Sequence, residues 1–220
     1  MSQETWEIVQ GKNIDGMELQ LALQCAPLIA GLKISNLLNI SREDFKKLED
    51  IIKGSHISWC LWMETEYKMT ILLYHRQSLA DYIRREKVHG LLRELGYQSF
   101  HVDDILKEFR IRYEQYMKEK SGFPHEMGLL LGYPAEDVEG FMRNKGANFL
   151  YTGYWKVYED KERKLKLFER FERATESMVQ LLSAGIGMED IIRSCCNYMK
   201  TDILHSSSDT FAVCNIQMSY

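Results

Sequence analysis

Between Ile52 and Gln77 the spacing of apolar residues changes period twice, and that change restricts the chain to a fold mixing helices with sheet. Phe45, Leu48, Ile51 and Ile52 recur at helical spacing after Ser41-Arg-Glu-Asp, with Gly54 as a stop signal. From His56 to Tyr74 the apolar residues alternate instead: Ile57, Trp59, Leu61 and Met63, then Met69, Ile71 and Leu73. Period two broken by a polar stretch predicts a β-hairpin turning at Glu64 to Tyr67. Helical spacing then returns over Gln77 to Leu95, with Leu79, Ile83, Leu91, Leu92 and Leu95 on one stripe and Gly96 closing it. The expected class is α/β of the α+β type, with a small mixed sheet covered by about six helices. Phe149 to Tyr158, where Phe149, Tyr151, Trp155 and Val157 share a face, is expected to add a strand to that sheet.

The other segments read as helices. Asp15-Gly-Met-Glu18 has the form of a capping box for a first helix ending near Pro27. Val102 to Lys120 carries Ile105, Leu106, Phe109, Ile111 and Tyr113, and Ala135 to Asn144 opens with two acids suited to a first turn. Met127 to Leu131 fits either a buried strand or a helix turn. Asp160 caps a long helix striped by Leu165, Phe168, Phe171, Met178 and Leu182, and Met188 to Met199 makes a last short one. Residues 1–205 are expected to form a single domain, and 206–220 a serine-rich linker and short tail with a strand over Phe211 to Ile216.

Twenty-eight basic and 32 acidic residues, mixed along the chain, give a net charge of −4. No basic field is available for nucleic acid or an anionic membrane, so neither partner is expected. Met1 to Gln10 lacks the pattern of a secretory signal, and no window approaches the ~18 consecutive apolar residues of a bilayer span. The five cysteines, Cys25, Cys60, Cys195, Cys196 and Cys214, lack the spacing of a zinc site or a redox pair, and together these features point to a reducing cytoplasm.

The strings Phe123-Pro-His-Glu-Met-Gly-Leu-Leu-Leu-Gly-Tyr-Pro-Ala-Glu-Asp-Val-Glu-Gly-Phe141 and Gly153-Tyr-Trp-Lys-Val-Tyr158 resemble those of domain-of-unknown-function family 3793. Cys25-Ala-Pro-Leu-Ile-Ala-Gly-Leu-Lys-Ile-Ser-Asn-Leu37 and Leu72-Leu-Tyr-His-Arg76 resemble it too, so the match runs from roughly Leu19 to Arg173. The resemblance implies a protein of anaerobic bacteria, encoded beside or fused to flavodoxin-like domains, in a redox or metal-homeostasis setting. A flavodoxin-like protein is therefore an expected partner. No flavin site is expected in this chain, because Phe211 to Tyr220 lacks a phosphate loop.

Two readings of the polar residues within those strings stay open. In the first, Lys33, Asn36, Arg76, His125, Glu126 and Lys156 converge on a small anionic ligand, and the protein binds without catalysing. In the second, Cys25 is a thiol nucleophile of a hydrolase or transferase with His125 and Glu126 as its base and acid, a chemistry that needs a thiolate beside a base. Against both stands a purely structural interaction module, in which Cys25 is a core residue and the charged groups are ion-paired. His125-Glu126 lacks the second histidine of a His-Glu-x-x-His zinc helix, position 129 being Leu, and no dinucleotide or phosphate-loop glycine pattern identifies a cofactor. Phe123 to Tyr133, with its glycines beside an adjacent titratable pair, is where a concave functional surface is expected.

Overall fold

The structure, a computed structural model, describes residues 14–120 and 122–205, with side chains described as far as 196. The expected strand over Phe211 to Ile216 and the tail lie outside the described residues. In chain order the elements are α1 (Gly16–Ile29), β1 (Ser35–Ser41), α2 (Phe45–Ile52), β2 (Ile57–Glu64), β3 (Lys68–His75), α3 (Arg76–Ile83), α4 (Glu86–Glu94) and α5 (Val102–Glu119). They continue with α6 (Glu126–Leu130), α7 (Ala135–Arg143), β4 (Tyr151–Thr152), β5 (Lys156–Val157), α8 (Lys161–Ser183) and α9 (Met188–His205). The class is α+β, as expected. None of the described helices is long and apolar enough to cross a membrane.

The described residues divide into two compact units: 14–33, 44–57 and 169–205 form one, and Ile34–Glu43 with Ser58–Phe168 the other. The first unit is helical. Asp15 caps α1 by accepting from the backbone N–H groups of Met17 and Glu18, at 2.9 and 3.3 Å, and its carboxylate also takes the Lys47 ammonium of α2. That contact holds the Asp15 carboxyl below its usual range. Glu18 reaches the start of α9, accepting from the Met188 N–H at 2.9 Å, so one short stretch ties three helices together. α1 continues past Pro27 to Ile29, two residues further than the proline suggests, and stops where Gly31 turns at φ +70°. Pro27 removes one backbone donor, but the N–H groups of Leu32 and Lys33 both fold back onto its carbonyl and close the helix.

The second unit contains the sheet, ordered β1-β3-β2. The hairpin of β2 and β3 is present, its turn closed by Thr65 N–H to the Lys68 carbonyl at 2.8 Å and by Lys68 N–H to Thr65 Oγ1 at 3.1 Å. The third strand is not Phe149 to Tyr158 but β1, antiparallel to β3 from Ser35↔Tyr74 to Ser41↔Lys68, so this sheet is antiparallel where a mixed one was expected. Ser41 therefore ends a strand and does not cap α2, whose N-cap position falls to Asp44. β3 is the central strand, which explains why Ile71 to Tyr74 are all buried. On β2 the inward phase is the opposite of the one expected: Trp62 is fully buried and Trp59 is exposed. Trp62 packs on Phe109 of α5 at 4.4 Å between ring centroids, and burying that indole outweighs burying Leu61 or Met63. The predicted helix over Gln77 to Leu95 is two, α3 and α4.

Phe149 to Tyr158 forms a hairpin of its own, β4 against β5, with Leu150 N–H bonded to the Val157 carbonyl at 2.8 Å. Asp137 of α7 fastens it. Its buried carboxylate accepts from Trp155 Nε1 and Tyr158 N–H, each at 2.8 Å, and from Glu159 N–H at 3.3 Å, with the buried Lys164 ammonium of α8 at 3.5 Å. Trp155 stacks on Tyr133 at 5.0 Å and meets Phe168 edge-on at 4.7 Å. Two glycines allow this closeness: a Cβ on Gly140 would lie 2.5 Å from Tyr158 Cγ, and one on Gly153 2.5 Å from Phe168 Cε2. Gly140→Ala is expected to destabilise by about 1–3 kcal/mol, or several degrees of melting temperature at about 2–4 °C per kcal/mol. Gly90→Ala, in α4 with open space around its Cα, should instead stabilise by about 0.5–1 kcal/mol. Thermal unfolding of the pair checks the contrast; equal effects would mean that Tyr158 yields.

Candidate functional site

α5 ends at Lys120, which adopts a left-handed conformation at φ 55°, and Gly122 follows at φ 66°. Two left-handed residues reverse the chain, so that Phe123-Pro124-His125 returns beside the last turns of α5. Tyr116 and Phe123 meet edge-on at 5.4 Å and 90°. The result is a groove of about 390 Å³ lined by Leu95, by Arg112, Gln115, Tyr116 and Glu119 of α5, and by Gly122 to Glu126. Of the segment Phe123 to Tyr133, Phe123 to Glu126 line it.

Glu126 is 2% exposed at the first turn of α6, and its Oε1 accepts from two side chains. Tyr97 Oη donates to its Oε1 at 3.1 Å and Arg112 Nη1 to the same oxygen at 3.2 Å. Arg112 also donates to the Leu95 carbonyl at 2.7 Å and to Glu108 at 2.5 Å, and its guanidinium lies 4.3 Å from the centroid of the Tyr97 ring. Burial, reinforced by the Glu126 charge, pushes the Tyr97 hydroxyl well above its usual pKa, so it remains a donor. His125 is different. Its ring sits 5.5 Å from Phe123 and 5.8 Å from Phe141, and its Nδ1 is buried without a hydrogen-bond partner among the described residues. The adjacent pair in sequence is thus not a pair in space: Glu126 serves Tyr97 and Arg112, and His125 lines the groove without it.

A family model described as "Protein of unknown function (DUF3793)" matches residues 21–192. The chain belongs to this family. No curated protein and no solved structure matches the chain. The DUF3793 stretch contains both the groove and the Asp137 network. Tyr133, Asp137 and Gly140 from one of the two strings that resemble the family's, and Trp155 and Tyr158 from the other, contact each other directly.

The remaining sequence-predicted residues do not line the groove. Arg76 opens α3 and binds Asp103 through both ends of its fork, at 2.7 and 2.5 Å, on the surface. Lys156 of β5 donates to the Gly146 carbonyl at 2.7 Å and lies 4.9 Å from the Phe149 ring centroid. Asn36 of β1 donates to the Leu37 carbonyl at 3.0 Å. Cys25, fully buried in α1, and Lys33 belong to the other compact unit. Among the described residues no group of three or more His, Cys, Asp or Glu side chains is placed to hold a metal ion. Sequence reasoning missed Arg112, Tyr116 and Glu119, whose spacing of four and three residues puts them on one face of α5. That polar stripe was legible, but it reads as an ordinary solvated face until the chain folds back over it.

Burial pulls the Lys33 ammonium down to a pKa of about 8, with Cys25 acting weakly in the opposite sense. Because the folded value lies below the unfolded one, the unfolded state binds more protons between about pH 8 and 10.5, and stability rises with pH across that window. At pH 7 the buried charge costs roughly 3 kcal/mol. Lys33→Met is therefore expected to stabilise at pH 7, with the gain shrinking as pH approaches 10.5. Denaturant unfolding of both proteins at pH 7, 9 and 10 measures it; a gain independent of pH would show that Lys33 titrates normally.

Proposed function

We propose that this protein is a non-catalytic ligand-binding protein whose site is the groove between the end of α5 and the start of α6. The observation that carries the reading is His125: a ring that lines an open groove, with its Nδ1 buried and without a hydrogen-bond partner among the described residues. Leaving a buried polar atom unpaired costs about 1–3 kcal/mol, a cost more readily kept at a binding surface than in a structural turn. The burial of Glu126 and the two donors on its Oε1 support binding over catalysis, since a carboxylate held by a tyrosine and an arginine is a poor general acid or base. Cys25 is fully buried, which favours a packing role for its thiol over a nucleophilic one. The anaerobic redox or metal setting and the flavodoxin-like partner stay part of this proposal and rest on the family resemblance.

Two variants separate scaffold from site. Glu126→Gln should lower stability by about 1–3 kcal/mol, because Arg112 and Tyr97 lose a charged acceptor. His125→Ala should leave stability within about 1 kcal/mol, since no hydrogen bond is removed. Thermal-shift measurements with citrate, adenosine monophosphate, spermidine and cellobiose then test binding. At least one is expected to raise the melting temperature of the native protein, with the shift lost in His125→Ala. No shift from any of the four, or shifts that survive that variant, would overturn the reading.

A further inference from the structure

The polar groups of the groove are spent unevenly. Among its described lining residues the sole guanidinium or ammonium is Arg112, and three of its five N–H donors go to Leu95, Glu126 and Glu108. Two carboxylates line the groove, Glu119 and Glu126, and Glu108 stands just behind on Arg112. An anionic ligand would meet more carboxylate than available donor, so the cations that suggested a small anionic ligand in the sequence do not serve this site. Arg76 and Lys156 are held elsewhere, by Asp103 and by the Gly146 carbonyl.

The groove instead offers what a cation needs. Tyr116 and Phe123, set edge-on at 5.4 Å, form an aromatic corner, and the negative face of an aromatic ring attracts ammonium and guanidinium groups. The Tyr116 ring already draws one: Lys120 Nζ lies 5.8 Å from its centroid. Glu119, one turn from Tyr116 on the same helix, adds a carboxylate whose Oε1 accepts from Gln115 Nε2 at 3.2 Å, and His125 adds a ring whose buried Nδ1 has no hydrogen-bond partner among the described residues. We propose that the groove binds an organic cation, an amine or quaternary ammonium seated against Tyr116 and Phe123 with Glu119 as its counter-charge. This inference rests on the groove being a binding site, and it names the class of molecule that enters it.

Isothermal titration of the full chain with spermidine and tetramethylammonium, against citrate, tests the proposal at low ionic strength. Both cations should bind and citrate should not. Tyr116→Ala should weaken the cations roughly threefold to tenfold while Tyr116→Phe preserves them, because the ring face and not the hydroxyl makes the contact. Glu119→Gln, on the exposed end of α5, should weaken spermidine by a similar factor and steepen no other loss. Citrate binding that depends on His125, with no cation bound, would leave a binding site and overturn its proposed class. Cation binding indifferent to Tyr116→Ala and Glu119→Gln would reduce it to general attraction by an acidic protein and overturn the proposal. No binding of any probe would remove both the class and the site.

Discussion

A single buried carboxylate, that of Asp137, organises the half of the molecule that holds the sheet. It is 2% exposed, and a charge so placed is tolerable only because an indole N–H, two backbone N–H groups and the Lys164 ammonium surround it. Those donors come from the residue before β5, the two after it and α8, so satisfying one acid draws both ends of β5 and α8 onto α7. Trp155 can reach Asp137 only while it lies between Tyr133 and Phe168, and that stack in turn requires the bare Cα of Gly153. Polar satisfaction and close packing are here the same constraint.

Glu126 repeats the arrangement at the other end of the string that joins them. Its carboxylate is likewise buried, and it fixes Arg112 and Tyr97 in a cation–π and hydrogen-bonded cluster, of which Arg112 and Glu126 line the groove. The groove's chemistry follows from this: by absorbing Arg112, Glu126 removes the obvious positive group and leaves aromatic faces, a carboxylate and an imidazole on display. A largely buried scaffold acid thereby decides the electrostatic character of the groove it borders.

The candidate site was legible in part. The segment starting at Phe123 stood out because glycines beside an adjacent histidine and glutamate are uncommon in a merely structural turn, and its first four residues line the groove proposed as the site. Its partners were misassigned, because Arg76, Lys156 and Asn36 are polar residues in apolar strings for local reasons: a surface fork onto Asp103, a contact to the Gly146 carbonyl, a bond to the next residue's carbonyl. Nothing in a linear pattern distinguishes a polar residue that seals a turn from one that awaits a ligand, since both need the same side-chain chemistry.

Periodicity by itself determined the alternation of helix and hairpin, the Asp15 and Asp160 caps and the class of fold, because each depends on residues within a few positions of one another. Tertiary structure alone decided that β1 completes the sheet, that Trp62 and not Trp59 faces inward, and that Phe149 to Tyr158 folds on itself. Strand pairing and the choice of buried face are settled by partners far along the chain: Asn36 of β1 pairs with Leu73 of β3, 37 positions further on, and no local spacing records which strand lies alongside. The same holds for the groove, whose aromatic corner exists only because two left-handed residues after α5 bring Phe123 back against Tyr116.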